Sequence, residues 1–374
     1  MAQVSEIKKA PANRTTGYEY EKDAKFVAYV SSYTRGKGEK YGIRIYDVDM
    51  ENGYLTQKKQ IEISNSSYVT ISHNRKYLYS ITDFGIEAYR IVKGGDLEQI
   101  NLASINGMRG SYLSTDYEDE FLFVSGYHDG KITVLRLNED GSVGDICDEL
   151  FLKGLGSIAE RNFRPHINCA RMTHDNKYLL VADQGMDHVN VYKLDHKRGT
   201  LRLSDVLRGD IESAPRHIKM SKHGRFIYVV HELACNITVY AYEERNGNPY
   251  FDRIQTIVTT ESDEKDYGCS ASALTFSDDY KYLISSTAGE NTVAIYEADH
   301  ETGLLEKKFC LPISGEYPKD AAIYPDNKHI VSLNHTSNTM TFFKLDLENN
   351  NMTMHGAPIK IKEPNCVFFH RLAD

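Results

Sequence analysis

The chain has 374 residues, a formal net charge of -9 and 41% hydrophobic residues. Net acidity without a basic run excludes nucleic acid or an anionic membrane surface as the main partner, and no apolar stretch approaches the ~18 residues that span a bilayer. A chain this long exceeds the roughly 250–300 residues at which a single core stops growing, unless it is built from repeats.

Residues 1–24 are polar and lack an apolar signal core. They read as a flexible arm on a cytoplasmic protein. From residue 25 a unit recurs. The first copy, KFVAYVSSYTRGKGEKYGIRIYDVDMENGYLTQKKQIEI (25–63), supplies three strands. Six fuller copies follow, opening at Tyr68, Tyr112, His166, His217, Ala273 and Ala321. Each has a short strand, an Asp/Asn-rich turn, a second strand such as YLLVAD or FIYVVH, a third such as VNVYKL, and a looser fourth. Val, Ile, Thr and Tyr at alternating positions between turn residues favour strands. Four strands per unit at a spacing of roughly 45–55 residues indicate a β-propeller. The first copy lacks its opening strand, and PNCVFFH (364–370) supplies it from the other end of the chain. The predicted architecture is all-β: one domain over 25–374, a seven-bladed β-propeller of four-stranded blades. Its ring closes by pairing of the N- and C-terminal segments, which removes the free edge of an open array.

In such a ring the starts of the first strands and the ends of the second strands converge on the channel mouth. The strand starts are Gly110-Ser111-Tyr112, Arg164-Pro165-His166, Pro215-Arg216-His217, Ser270-Ala271-Ser272 and Tyr317-Pro318-Lys319. The strand ends are Ser125-Gly126-Tyr127, Asp183-Gln184-Gly185, His231-Glu232-Leu233, Ser286-Thr287-Ala288 and Leu333-Asn334-His335. Polar variety at equivalent positions of a uniform repeat marks function. The richest set is His166, Asp183, Arg216, His217 and Glu232. An arginine holds an oxyanion or a planar anion, and a nearby histidine or glutamate activates water. The competing reading pairs Arg216 with Glu232 and His166 with Asp183 as satisfied channel filling.

Other features carry less. Cys147, Cys169, Cys235, Cys269, Cys310 and Cys366 are far apart without a C-x-x-C pair, and read as buried or half-buried reduced thiols. His231-Glu232-Leu233-Ala234-Cys235 is close to H-E-x-x-H, but it lies on a strand end and its fifth residue is cysteine, so no metal is expected. His174, His188, His223 and His329 read as solvated turn residues.

Pro165-His166, Ala182-Asp183-Gln184-Gly185-Met186-Asp187, Pro215-Arg216-His217, Glu232-Leu233 and the closing Pro364-Asn365-Cys366-Val367 resemble the seven-bladed propeller lactonase family. That family includes the bacterial propeller-type 6-phosphogluconolactonases and carboxy-cis,cis-muconate cyclase. The resemblance covers residues 25–370. It implies a lactone as the small-molecule partner, no metal or other cofactor, and a site at one channel mouth built from His166, Arg216 and Glu232. His217, Asp183, Lys319 and Asn334 are the expected substrate-binding residues. The sequence departs from the family where Ala288 stands in place of an arginine, and where Lys319 replaces another. The expected activity is hydrolysis of 6-phosphogluconolactone in the pentose phosphate route. The alternatives are a cyclase or lactonase for a carboxylated, unphosphorylated lactone, and a non-enzymatic binding propeller.

Overall fold

Five of the first-to-second strand hairpins are set by one local device. A Ser, Thr or Asp at the end of the first strand turns its side-chain oxygen onto the amide that opens the second. Ser72 accepts from Tyr77 at 3.0 Å, Asp116 from Phe121 at 2.8 Å, Thr173 from Tyr178 at 3.0 Å, Ser221 from Phe226 at 3.1 Å and Ser277 from Tyr282 at 2.9 Å. Such short side chains compete for backbone groups and so favour turns. The second strands that follow, among them Tyr178–Asp183 and Phe226–His231, are buried at every position save Tyr77, because a neighbouring blade covers each face. The outermost strands alternate or face solvent, as in Thr200–Arg208.

The computed structural model describes residues 24–156, 163–262 and 268–372. The strands form seven sheets, each a consecutive antiparallel run of four, with the short strand Ile359–Lys360 added to the seventh. The seven-bladed propeller read from the sequence is the architecture observed. The ring closes as expected: Phe26–Ser32 pairs antiparallel with Pro364–Arg371, with Val30 opposite Val367 and Phe26 opposite Arg371. The arm proposed for 1–24 lies outside the described residues, save Ala24.

The core is distributed between blades. Between blades five and six Tyr228, Val230, Leu274, Leu283 and Tyr296 pack together. Burying side chains of this size stabilises by about 1.5–3 kcal/mol each, so each blade depends on its neighbour. Two of the histidines read as turn residues differ from expectation. His329 is buried, opens the strand His329–Asn334 and packs on Tyr324 with ring centroids 5.7 Å apart. His188 likewise belongs to a strand and is half-buried, whereas His223 is exposed.

Candidate active site

The innermost strands do not run in unbroken register. In blade five Pro215 pairs with His231 and His217 with Val230, leaving Arg216 without a ladder partner. In blade four Ile167 pairs with Asp183 and Cys169 with Ala182, leaving Asn168 over. In blade seven Pro318 pairs with Asn334 and Asp320 with Leu333, leaving Lys319 over. In blade one Ser31 pairs with Cys366 and Ser32 with Pro364, leaving Asn365 over. A bulge adds one residue and re-aims its side chain. Asn168, Arg216, Lys319 and Asn365 all line one cavity of about 270 Å³ at the channel mouth.

Arg216 is the centre of this cavity's charge. Its Nη1 donates to Glu232 Oε2 at 2.5 Å, and Glu232 Oε1 accepts from the Ser270 hydroxyl at 3.0 Å. Glu232 itself is only 3% exposed. The Nε–H of Arg216 is buried without a hydrogen-bond partner among the described residues. His217 follows on the same strand, and burial, reinforced by the Arg216 charge, holds its imidazole well below its ordinary pKa and therefore neutral. Lys319 donates to Asn365 Oδ1 at 2.7 Å. Burial, and then the Arg216 charge, lowers its pKa to about 7. Its ammonium stands 4.7 Å from the Tyr33 ring centroid, with Arg109 at 4.8 Å and Arg35 at 4.6 Å from the same ring.

Arg216, Glu232, His217 and Lys319 are therefore brought together. His166, Asp183 and Asn334 are not part of the lining. The prolines of these strand starts do not hold equivalent ladder positions. Pro215 and Pro318 match Ile167, so His166 stands two residues before the bulge. Its ring stacks on Tyr127 at 4.5 Å, and its Nδ1 lies 2.8 Å from the Tyr127 carbonyl. Asp183 is buried, accepts the His166 amide at 3.0 Å, and burial raises its pKa to about 6. The link between His166 and Asp183 thus runs through the backbone, not the imidazole. Asn334 is buried and spends its amide on Thr339 and Thr341. The residues one step on from Asp183 and His231, namely Gln184 and Glu232, are the ones that face the cavity.

Tyr33, Arg109, Tyr127, Asn168, Gln184, Tyr317 and Asn365 also line the cavity and were not picked out from the sequence. Tyr127 and Gln184 lie within the strand-end triplets, Tyr317 within a strand-start triplet and Asn365 within the closing motif. Asn168 and Asn365 reach the cavity because each is the extra residue of a bulge. Ala288 is buried and is not in the lining, so the mouth's cations come instead from Arg109, Arg216 and Lys319.

The thiol expectation fails at two positions. Cys235 and Cys269 are joined in a disulfide with Cα atoms 6.5 Å apart. They are 34 residues apart in sequence, and only the docking of blade five on blade six brings them together. The bridge flanks the catalytic candidates, since Cys235 follows Glu232 in the same turn and Cys269 precedes Ser270. Closing a loop of this length stabilises by about 3–4 kcal/mol on the chain-entropy account. Cys235→Ala/Cys269→Ala is expected to lose about that much in urea unfolding, and wild type should lose it on reduction. An unchanged midpoint in both would show that the bridge adds nothing. Cys147, Cys169, Cys310 and Cys366 are free.

The family description "Lactonase, 7-bladed beta-propeller" matches residues 27–369. A 6-phosphogluconolactonase from Bacillus subtilis is 28% identical over 355 residues, 93% of this chain and 99% of its own. A second 6-phosphogluconolactonase, from Formosa agariphila, is 27% identical over 333 residues, 86% of this chain and 92% of its own. The solved structure of a periplasmic gluconolactonase from Pseudomonas aeruginosa superposes with a TM-score of 0.84 at 23% identity, covering 94% of this chain and 99% of that one, and establishes the shared fold. With four-stranded blades, a closed ring and a match across nearly the whole length, the chain belongs to the seven-bladed β-propeller lactonase family.

Proposed function

We propose that this protein hydrolyses a phosphorylated sugar lactone, with 6-phosphogluconolactone as the first substrate to test. The observation that carries the reading is the Arg216–Glu232–Ser270 cluster, set in a cavity whose other wall holds Arg109 and Lys319. Water adds to the lactone carbonyl carbon and gives its proton to Glu232. The carbonyl oxygen becomes an oxyanion on the Arg216 guanidinium, which Glu232 keeps oriented. The carbon–ring oxygen bond then breaks, and the ring oxygen takes up the proton. Preorganised charge aimed at a developing oxyanion is the strongest device available to such a site. Arg109 and Lys319 hold the phosphate. His166 acts at a distance, by packing Tyr127 against the cavity. The names of the Bacillus and Formosa relatives support the same substrate.

The test is hydrolysis of freshly generated 6-phosphogluconolactone against the spontaneous rate, beside glucono-δ-lactone and a muconate-type lactone. Preference for the phosphorylated compound is the expected result, and an enzymatic rate only on the carboxylated one would replace this reading by the cyclase-like alternative. The pH profile is a further check. With a pKa near 7, Lys319 is cationic below neutrality and loses its charge as pH rises through 7. Because kcat/KM reports free-enzyme ionisations, it should fall above pH 7 for the phosphorylated lactone after background subtraction, and much less for glucono-δ-lactone. Lys319→Arg should remove that inflection, because a guanidinium stays charged.

Among the described residues no helix is long and apolar enough to cross a membrane. A cytoplasmic setting is in tension with the Cys235–Cys269 bridge, since disulfides persist in oxidising compartments and are rare in the reducing cytosol.

A further inference from the structure

The channel has a second cavity, of about 220 Å³, at the opposite ends of the innermost strands. Seven positions form one ring at this depth, each paired with the third residue of its blade's next strand. They are Thr70, Ser114, Arg171, Lys219, Thr275, Ala322 and Phe369. Only Arg171 and Lys219, on neighbouring blades, carry charge. Both line the cavity and are half-buried. Among the described residues neither makes a side-chain hydrogen bond or ion pair. Two like charges are thus brought together in the channel without a directly bonded carboxylate on either, although the Asp320 charge acts on Lys219. Burial, and then Arg171, lowers the Lys219 pKa to about 8, which leaves it cationic at neutral pH.

Two carboxylates line this cavity: Asp278, on which the Arg75 charge acts, and Asp320, which is engaged by backbone amides. Asp320 accepts the Val367 amide at 2.9 Å and the Ala321 amide at 3.0 Å. The rest of the wall carries Arg75, His174 and Asp278 beside the aromatic rings of Tyr117, Phe276 and Phe368. A cost of this kind is retained where a ligand offsets it, because buried charges are normally paired. We propose that this second mouth binds a small organic anion, its oxyanion head on Arg171 and Lys219 and a flat apolar body against Tyr117, Phe276 and Phe368. It is distinct from the site of Arg216, although Tyr68 and Asp320 line both cavities. Occupancy of one mouth is thereby in contact with the floor of the other.

Calorimetric titration of the full chain with phenyl phosphate, benzoate and inorganic phosphate tests this. The Arg216→Ala/Lys319→Gln protein should still bind phenyl phosphate at one site, about tenfold tighter than inorganic phosphate because of the aromatic rings. Arg171→Gln and Lys219→Gln should each remove that site, and made alone in the wild type should leave lactone hydrolysis intact, which also reports that they fold. Comparison of phenyl phosphate with benzoate tells a phosphate-selective from a carboxylate-selective head site. Phenyl phosphate binding that is absent from the Arg216→Ala/Lys319→Gln protein, or that persists there after Arg171→Gln or Lys219→Gln is added, would overturn the proposal. So would equal affinity for inorganic and phenyl phosphate, as regards the apolar body. None of these outcomes depends on which lactone is the substrate.

Discussion

Arg216→Ala is expected to lower kcat/KM for lactone hydrolysis by about 10²–10³-fold, the usual loss of one oxyanion donor, or about 2.7–4 kcal/mol. The substitution has a second consequence that must be separated from the first. Glu232 is 3% exposed and takes its charge partner from Arg216. Removing one member of a buried pair leaves an uncompensated charge and costs about 3–5 kcal/mol of stability. The double variant Arg216→Ala/Glu232→Gln relieves that cost and should recover most of the lost stability. Its activity should remain as low as that of the single variant, or fall further. Glu232→Gln alone retains a side chain that can bond Ser270 and Arg216 but lacks the base, and should be slow yet well folded. A single Arg216→Ala variant that keeps full kcat/KM would end the oxyanion assignment. Recovery of activity in the double variant would reduce the pair to a structural role.

Ending the chain at Glu363 is expected to abolish folding. The deletion removes Pro364–Arg371 and leaves the innermost position of blade one empty. Phe26–Ser32, buried at all seven positions, would become an open edge. Loss of the packing of Cys366, Val367, Phe368 and Phe369, at about 1.5–3 kcal/mol each, amounts to about 6–12 kcal/mol. That is comparable with the about 5–15 kcal/mol by which whole domains are stable. Insoluble expression, or loss of cooperative unfolding, is the expected readout. A soluble truncation with a normal thermal transition would mean that the ring holds without closure. The same strand also supplies Asn365, which accepts from Lys319 and donates to the Ser66 carbonyl at 2.8 Å. Asn365→Leu should therefore keep the ring but raise KM for the phosphorylated lactone, with kcat little changed.

The propeller was legible because its signal is redundant. The turn Ser/Thr/Asp, the all-buried second strand and the alternating third strand recur blade after blade, and the missing opening strand of blade one was conspicuous at the C-terminus. The channel mouth was legible for the same reason. The identity of the residues facing it was only half legible. Since side chains alternate with a period of two, a one-residue slip exchanges the two faces. Nothing in the string of letters marks a bulge, so the sequence put His166 in the ring where Asn168 stands and favoured Asp183 where Gln184 faces the cavity. Arg216 and Lys319 each follow a proline at the same ladder position, and both do face the cavity. Cys235 and Cys269 were misread because their adjacency belongs to blade docking, which spacing along the chain does not encode.

The four bulged residues have a further meaning. Asn168, Arg216, Lys319 and Asn365 take no part in the ladder, so the sheets do not constrain their identity as they constrain Ile167 or Val367. Each works as a socket on a standard fitting: what is plugged in can change while the wiring of the blade stays the same. Evolution can then rewrite substrate preference at four addresses without reopening the question of how the chain folds. For the same reason a small library randomised only at 168, 319 and 365, with Arg216 kept, is a direct route to new lactone specificities on this scaffold.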